Sequence, residues 1–266
     1  MEKTPHSITA PEDKLSWGQR LGYGSGNAAL NFSVNAPKAL VPPIFQMTLG
    51  LNPALVGVAL AIPRFWDAFT DPLMGSISDN TRTRWGRRRP YIFVGAILSG
   101  LAFAGFLAVP EGLSDPLLLT WLIGGMLILY TCSTVFGVPW YSMLPELTPD
   151  HHERTRVAAV ASFMSKLSGI AIQWSFAFTQ MAIFTSTLIG AKVLGLVGAL
   201  IIISMGIIPA IFCREKFYKV ARKQKKEKII PAIKEALKNR NFRRLTGIQL
   251  FFLLGLMMTN SLGMYV

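Results

Sequence analysis

The stretch Phe65-Trp66-Asp67-Ala68-Phe69-Thr70-Asp71-Pro72 decides how the rest of the chain is read, because it sets two carboxylates four residues apart inside an otherwise oily helix. Residues i and i+4 share one helix face, so Asp67 and Asp71 stand one turn apart on a single stripe, with Arg64 three residues before Asp67. A carboxylate at the centre of a spanning helix costs about 2.5–3.5 kcal/mol on insertion scales, so the pair must face a protein interior or a watery cavity. Apolar residues flank the stretch on both sides and predict a span over 53–78, which puts Asp67 near the bilayer midplane at about 1.5 Å of rise per residue.

Working outward, hydropathy predicts five more spans, over 20–49, 90–110, 117–145, 155–184 and 187–213, and the start of a seventh at 245. Hydrophobic residues make up 51% of the chain and charged residues 15%, a balance that favours a membrane protein over a soluble domain. The expectation is an all-α membrane protein with four parts: a segment 1–19, a six-helix bundle 20–213, a basic connector 214–244 and a partial seventh helix 245–266. Six spans, a long basic connector and a further span match a two-bundle transporter at its midpoint, where each half holds two inverted three-helix repeats.

The net charge of +13 would suit a nucleic-acid binder if it formed one patch interleaved with aromatics, but the basic residues fall in the loops between spans. Arg82, Arg84, Arg87, Arg88 and Arg89 crowd the 80–89 loop, Arg154 and Arg156 follow the fourth span, and the 214–244 connector is densely basic. The turns at 50–52, 111–116 and 185–186 carry no Lys or Arg. The positive-inside rule therefore predicts a cytoplasmic N-terminus. Residues 1–17 contain no apolar h-region, so no cleavable signal is expected. The connector reads as a solvated loop near anionic headgroups, with Pro231 opening a short amphipathic helix that carries Ile230, Ile233 and Leu237 on one side.

Two acids and one arginine on one stripe leave a formal surplus of one negative charge, which suits a monovalent cation or a proton. Hard cations favour oxygen ligands, and Thr70 offers a hydroxyl beside the acids. Carboxylates this close also couple their titrations, so one can hold a proton when no cation is bound. A packing-only ion pair between Arg64 and Asp67 is the competing structural reading, and it leaves Asp71 unexplained. A hydrolytic dyad is excluded because neighbours on one helix cannot flank a scissile bond, so neither an enzyme nor a cofactor is expected.

Other polar groups cluster in the first span (Asn27, Asn31, Ser33, Asn35, Lys38), the fourth (Thr131, Ser133, Thr134) and the fifth (Ser162, Lys166, Gln173). Many would serve helix–helix hydrogen bonds. Lys38 and Lys166 must snorkel, approach the acids, or bind an anionic part of a substrate. The Gly22–Gly26 run opens a spanning helix with no strand before it and predicts close helix packing, not a phosphate loop. Cys132 and Cys213 have neither disulfide nor metal-site spacing, and His6, His151 and His152 read as solvated.

The segment RFWDAFTDPLMGSISDNTRTRWGRRRPYIFVG, from Arg64 to Gly95, resembles the second helix and following loop of the glycoside-pentoside-hexuronide:cation symporters, a family of the major facilitator superfamily typified by the melibiose permease. VPWYSMLPELTPDHHERTR, from Val138 to Arg156, is similar to that family's link between helices four and five, and with the first helix from Gly18 the resemblance covers nearly the whole chain. It implies the six-helix N-terminal bundle of a major facilitator fold plus the start of helix seven. It also implies a multi-pass protein of the bacterial inner membrane that couples sugar uptake to Na+ or H+.

By the same resemblance, Asp67, Asp71, Thr70 and Thr134 would hold the coupling cation. Asn31 and Gly137 stand where melibiose-type transporters have acids, and Ser162 where they have an arginine. The expected substrate contacts are Asn31, Arg64, and an aromatic, Trp140 or Tyr141, to stack on a sugar face. The loop signature, with Gly75, Asp79, Gly86 and Arg87 to Arg89, implies that Asp79, Arg84, Arg87 and Arg88 hold one state closed on the cytoplasmic side. Similar transporters have twelve spans, so the chain is expected to be an N-terminal half that needs the missing C-terminal half to transport. A transporter of a non-sugar solute or lipid, or a fragment that only binds partners, is the alternative.

Overall fold

The computed structural model describes residues 13–213, 215, 238–249 and 251. Six helices make up the first unit: α1 (Trp17–Val41), α2 (Pro53–Asn80), α3 (Arg89–Leu107), α4 (Asp115–Leu147), α5 (His151–Thr179) and α6 (Thr187–Phe212). Their starts follow local capping chemistry. Ser16 and Gln19 form a capping box before α1, Asn52 caps α2 ahead of Pro53, and Asp150 and Ser186 accept the Glu153 and Ile189 N–H groups before α5 and α6. At Pro42 and Pro43, which have no N–H to donate, α1 gives way to a π-helical segment, Pro42–Thr48.

Among the described residues, α3, α4, α5 and α6 are long and apolar enough to cross a membrane. With 25 and 28 residues, α1 and α2 are also of spanning length, but their composition falls short. The asparagines of α1 and the charges of α2 are what lower it. The polar cost is thus concentrated in two helices.

The principal helix pairings are α1 with α5, α2 with α4, α3 with α6, α1 with α6, and α3 with α4. Exchanging α1 with α4, α2 with α5 and α3 with α6 maps this set onto itself. Two three-helix repeats are therefore legible in the packing, although the sequences of the two halves show no similarity to the eye.

Small residues let these backbones approach, as the Gly22–Gly26 run predicts. A Cβ on Gly26 would lie 2.4 Å from Trp140 Nε1, and one on Gly95 would lie 2.5 Å from the backbone N of Phe136. Two apolar clusters fill the bundle, one around Leu40, Phe103, Leu122 and Met126, the other around Ala29, Phe136, Trp140 and Met143.

The second unit comprises Lys225–Val266. Residues 240–249 of it are helical, so a helix is already under way before the expected start at 245. The amphipathic turn expected after Pro231 and most of the seventh span lie outside the described residues.

Candidate functional site

The polar residues of α1, α2 and α4 meet at mid-bundle around a cavity of about 310 Å³, at the lower end of the range usual for small-molecule sites. Asp67, Asp71, Asn31, Thr134 and Tyr141 all line it, and so do Tyr130 and Ser165, which the sequence reading did not single out. Asp67 is the fifteenth of the 28 residues of α2, at the middle of the helix.

At the heart of the cavity wall, Thr134 Oγ1 donates to Asp71 Oδ1 at 3.0 Å, joining α4 to α2. Asp67 Oδ1 is buried and has no hydrogen-bond partner among the described residues. An orphaned carboxylate oxygen at this depth is expensive, and it marks a place where an ion or a proton would be stabilised. One turn before Thr134, Thr131 Oγ1 accepts a 2.8 Å bond from Trp66 Nε1.

The charges bearing on Asp67 are those of Asp71, Arg64 and Lys38. The packing-only reading of Arg64 fails, since no salt bridge joins it to Asp67 among the described residues, and Arg64 is exposed and does not line the cavity. Lys38 enters where the sequence count left it out. Its Nζ donates to Asn35 Oδ1 at 3.1 Å and lies 5.9 Å from the centre of the Tyr130 ring. With Lys38 included, the formal count becomes two acids to two bases, although both bases act on Asp67 while Asp71 is held by Thr134.

Asparagines of α1 carry the opposite wall. Asn27 and Asn31 donate to the backbone oxygens of Ala161 and Ser165 on α5, and Asn35 donates back to Asn31 Oδ1. Asn31 therefore lines the cavity while its amide group also ties α1 to α5.

Two expectations need correction at this site. Trp140 is 2% exposed, stacks on Tyr23 with ring centres 4.5 Å apart, and donates Nε1 to the Tyr23 oxygen, so it is a core residue and cannot stack on a sugar. Tyr141, the next residue, is exposed and faces the cavity. Thr70 lies off the cavity wall, and its hydroxyl donates to the Trp66 oxygen one turn back.

A second charged cluster gathers at the arginine-rich end. Arg88 pairs with Asp79 at 2.8 Å and with Glu146 at 3.0 Å, while Arg87 pairs with Glu146 and, at 3.8 Å, with Asp79. The Glu215 carboxylate accepts the backbone N–H groups of Arg87, Arg88 and Arg89, capping the start of α3. Gly86 makes this possible: its φ is +112°, and a Cβ there would lie 2.7 Å from Glu215 Oε1. Arg84, expected to help hold one state closed, is exposed and makes no ion pair among the described residues, so the cluster forms without it. Glu153, fully buried, holds Arg20 at 2.7 Å and Arg156 at 3.3 Å.

Sequence reasoning missed Glu146, Glu153 and Glu215. The usable signal was acids placed at helix ends in a chain whose loops on that side are arginine-rich. Among the described residues no group of three or more His, Cys, Asp or Glu side chains is arranged to hold a metal ion.

The chain is 28% identical over 260 residues to an uncharacterized symporter of Bacillus subtilis (strain 168), covering 95% of this chain and 55% of that protein. It is 27% identical over 209 residues to an isoprimeverose transporter of Lactiplantibacillus pentosus, covering 77% and 43%. A putative glycoside/cation symporter of Escherichia coli (strain K12) is 29% identical over 159 residues, covering 60% and 34%. The chain thus spans about a third to just over half the length of these relatives. The model of the MFS/sugar transport protein family matches residues 22–266, nearly the whole chain, and with apolar helices of spanning length it establishes an integral membrane protein that belongs to that family.

Proposed function

We propose that the protein is a cation-coupled symporter of sugars or glycosides that works by alternating access, with Na+ or H+ as the coupling ion and this chain contributing one six-helix bundle. The observation that carries the reading is the Asp67–Asp71–Thr134 corner of the cavity, where one buried carboxylate oxygen has no hydrogen-bond partner among the described residues. An entering cation would take oxygen ligands from Asp67, Asp71 and Thr134. It would compete there with Lys38 and Arg64, whose charges act on Asp67. Thr70 remains a candidate ligand only if its rotamer changes.

For the solute, Asn31 and Tyr141 are the candidate contacts, the one through its amide and the other through its ring face and hydroxyl. Arg64 sits outside the cavity wall and would act on the acids more than on the solute. The named functions of two relatives, glycoside/cation symport and isoprimeverose transport, support the sugar class.

The arginine-rich end would face the cytoplasm, as the positive-inside rule requires. There the Asp79–Arg87–Arg88–Glu146 cluster would fix the ends of α2, α3 and α4 as one rigid block that rocks during alternating access. Arg84, free of that cluster, is available to a partner surface.

Uptake of labelled glycosides by cells expressing the natural gene, under imposed Na+, H+ or Li+ gradients, tests the proposal. Accumulation should follow one of the gradients and vanish in Asp67→Asn and Asp71→Asn. Accumulation that persists in both variants would sink the cation site.

A further inference from the structure

Lys38 is the twenty-second of the 25 residues of α1, and the nearer end of its span lies ahead of it, through Val41 and the Pro42–Thr48 segment. Its ammonium turns the other way. Nζ donates back one turn to Asn35 Oδ1 at 3.1 Å, Asn35 Nδ2 donates to Asn31 Oδ1, and Asn31 Nδ2 donates to the Ser165 oxygen on α5 at 2.6 Å. Side chains at i, i+4 and i+7 of one helix stripe are thus joined into a single chain of hydrogen bonds.

The chain has one polarity. A lysine ammonium only donates and a backbone carbonyl only accepts, so the two ends fix how both amides face: each turns its oxygen toward Lys38 and its nitrogen toward Ser165. One N–H of each amide is left over, and both asparagines line the central cavity. The group that sets this order also bears on Asp67. Tyr130 links the two settings, since it lines the cavity with Asp67 while Lys38 Nζ lies over its ring. Arg64 and Lys166 have no such connection: both are exposed, and neither makes a hydrogen bond or an ion pair among the described residues.

We propose that Lys38 and Asn35 are positioning residues that carry the charge of the cation corner to Asn31, so that cation and solute bind cooperatively. This rests on the symport reading above and goes beyond it by naming the residues through which one site acts on the other. A monovalent cation at the Asp67–Asp71–Thr134 corner, or a proton on Asp67, would cancel the attraction of Asp67 for the ammonium. Asn35 Oδ1 would then hold Lys38 more firmly, both amides would be locked in the order described, and the solute would meet a preformed pair of N–H donors. Linkage requires the converse, that a bound solute raises cation affinity by the same factor.

The test is binding of labelled methyl β-D-glucoside, methyl β-D-galactoside and methyl β-D-xyloside to membranes from cells expressing the natural gene, at high and low Na+ and at low and high pH. In the wild type one of the two cations should tighten binding of at least one glycoside by about tenfold. Lys38→Met and Asn35→Leu should reduce that factor to about twofold or less, and Lys38→Arg should keep it, with each variant's amount in the membrane measured alongside. Asn35→Asp, which keeps the acceptor for Lys38 and lacks the donor for Asn31, should lose the factor as Asn35→Leu does. Variants that keep the factor at a lower overall affinity, or lose binding at both cation levels, would show a merely structural role and overturn this proposal alone. So would a wild type that binds a glycoside equally at both levels. Binding of none of the three glycosides, with the protein present in the membrane, overturns the symport reading and this proposal with it.

Discussion

Two clusters of acids and bases in this bundle are built from the same residue types and end in opposite states. At the arginine-rich end each carboxylate is engaged: Asp79 and Glu146 by Arg87 and Arg88, Glu153 by Arg20 and Arg156, and Glu215 by three backbone N–H groups. At mid-bundle Asp67 has basic groups within electrostatic range, but neither it nor Asp71 forms a salt bridge among the described residues, and one Asp67 oxygen is orphaned; Glu146 also leaves one oxygen without a partner, but its other oxygen is held by both arginines. The difference teaches that an intramembrane carboxylate is not read by its presence alone. Where geometry closes the ion pair, the charge holds helices together; where geometry leaves it open beside a cavity, the charge is available to a ligand.

The comparison can be broken most easily at Glu153. Removing this fully buried partner of Arg20 in Glu153→Ala should cost about 3 kcal/mol of stability, because the partly buried Arg20 is left without its carboxylate. Thermal unfolding in detergent micelles measures it, and a variant as stable as the wild type would mean that the end cluster is not structural. Asp67→Asn should do the reverse, leaving the unfolding temperature near the wild-type value while lowering gradient-driven accumulation by about 100-fold, or ~2.7 kcal/mol. A large loss of stability instead would move Asp67 into the structural class.

Smaller effects sharpen the contrast. Gly86→Ala forces a side chain into a left-handed conformation and against Glu215, at a cost of about 1–3 kcal/mol. Hydrogen exchange should accelerate at the amides of Arg87 to Arg89, with cation dependence unchanged. Thr134→Ala removes one hydrogen bond to Asp71 and should weaken apparent cation affinity by about tenfold, with Thr134→Ser restoring it. An equal loss in the serine variant would show that the methyl group, not the hydroxyl, is what matters.

The spans were legible in the sequence because hydropathy acts locally, but their ends were not: α5 runs from His151 to Thr179 where 155–184 was expected, since Asp150 caps the helix start ahead of the apolar run. The acids were legible for a related reason, since their cost in a bilayer is a property of the residue and its depth. Trp140 and Tyr141 were not separable. They are adjacent on one helix, and only the approach of α1, through Gly26 and Tyr23, buries the first and leaves the second open.

Lys38 shows the same limit from the other side. It lies in α1, 29 residues before Asp67, and no spacing rule connects them until α1 and α2 are placed around Tyr130. Glu146 and Glu215 were equally invisible as partners of the 80–89 arginines, from which they are separated by more than fifty residues.

By itself the sequence determined an all-helical membrane chain, the mid-helix position of Asp67 and Asp71 on α2, and which loops carry positive charge, because transfer free energy and helix propensity are set within one turn or one span. Tertiary structure alone decided which charges are paired, which aromatic faces the cavity, and that Lys38 acts on Asp67 while Lys166 stands apart. Coulomb and hydrogen-bond energies depend on distances of a few ångströms between helices remote in sequence, and those distances exist only once the bundle is packed.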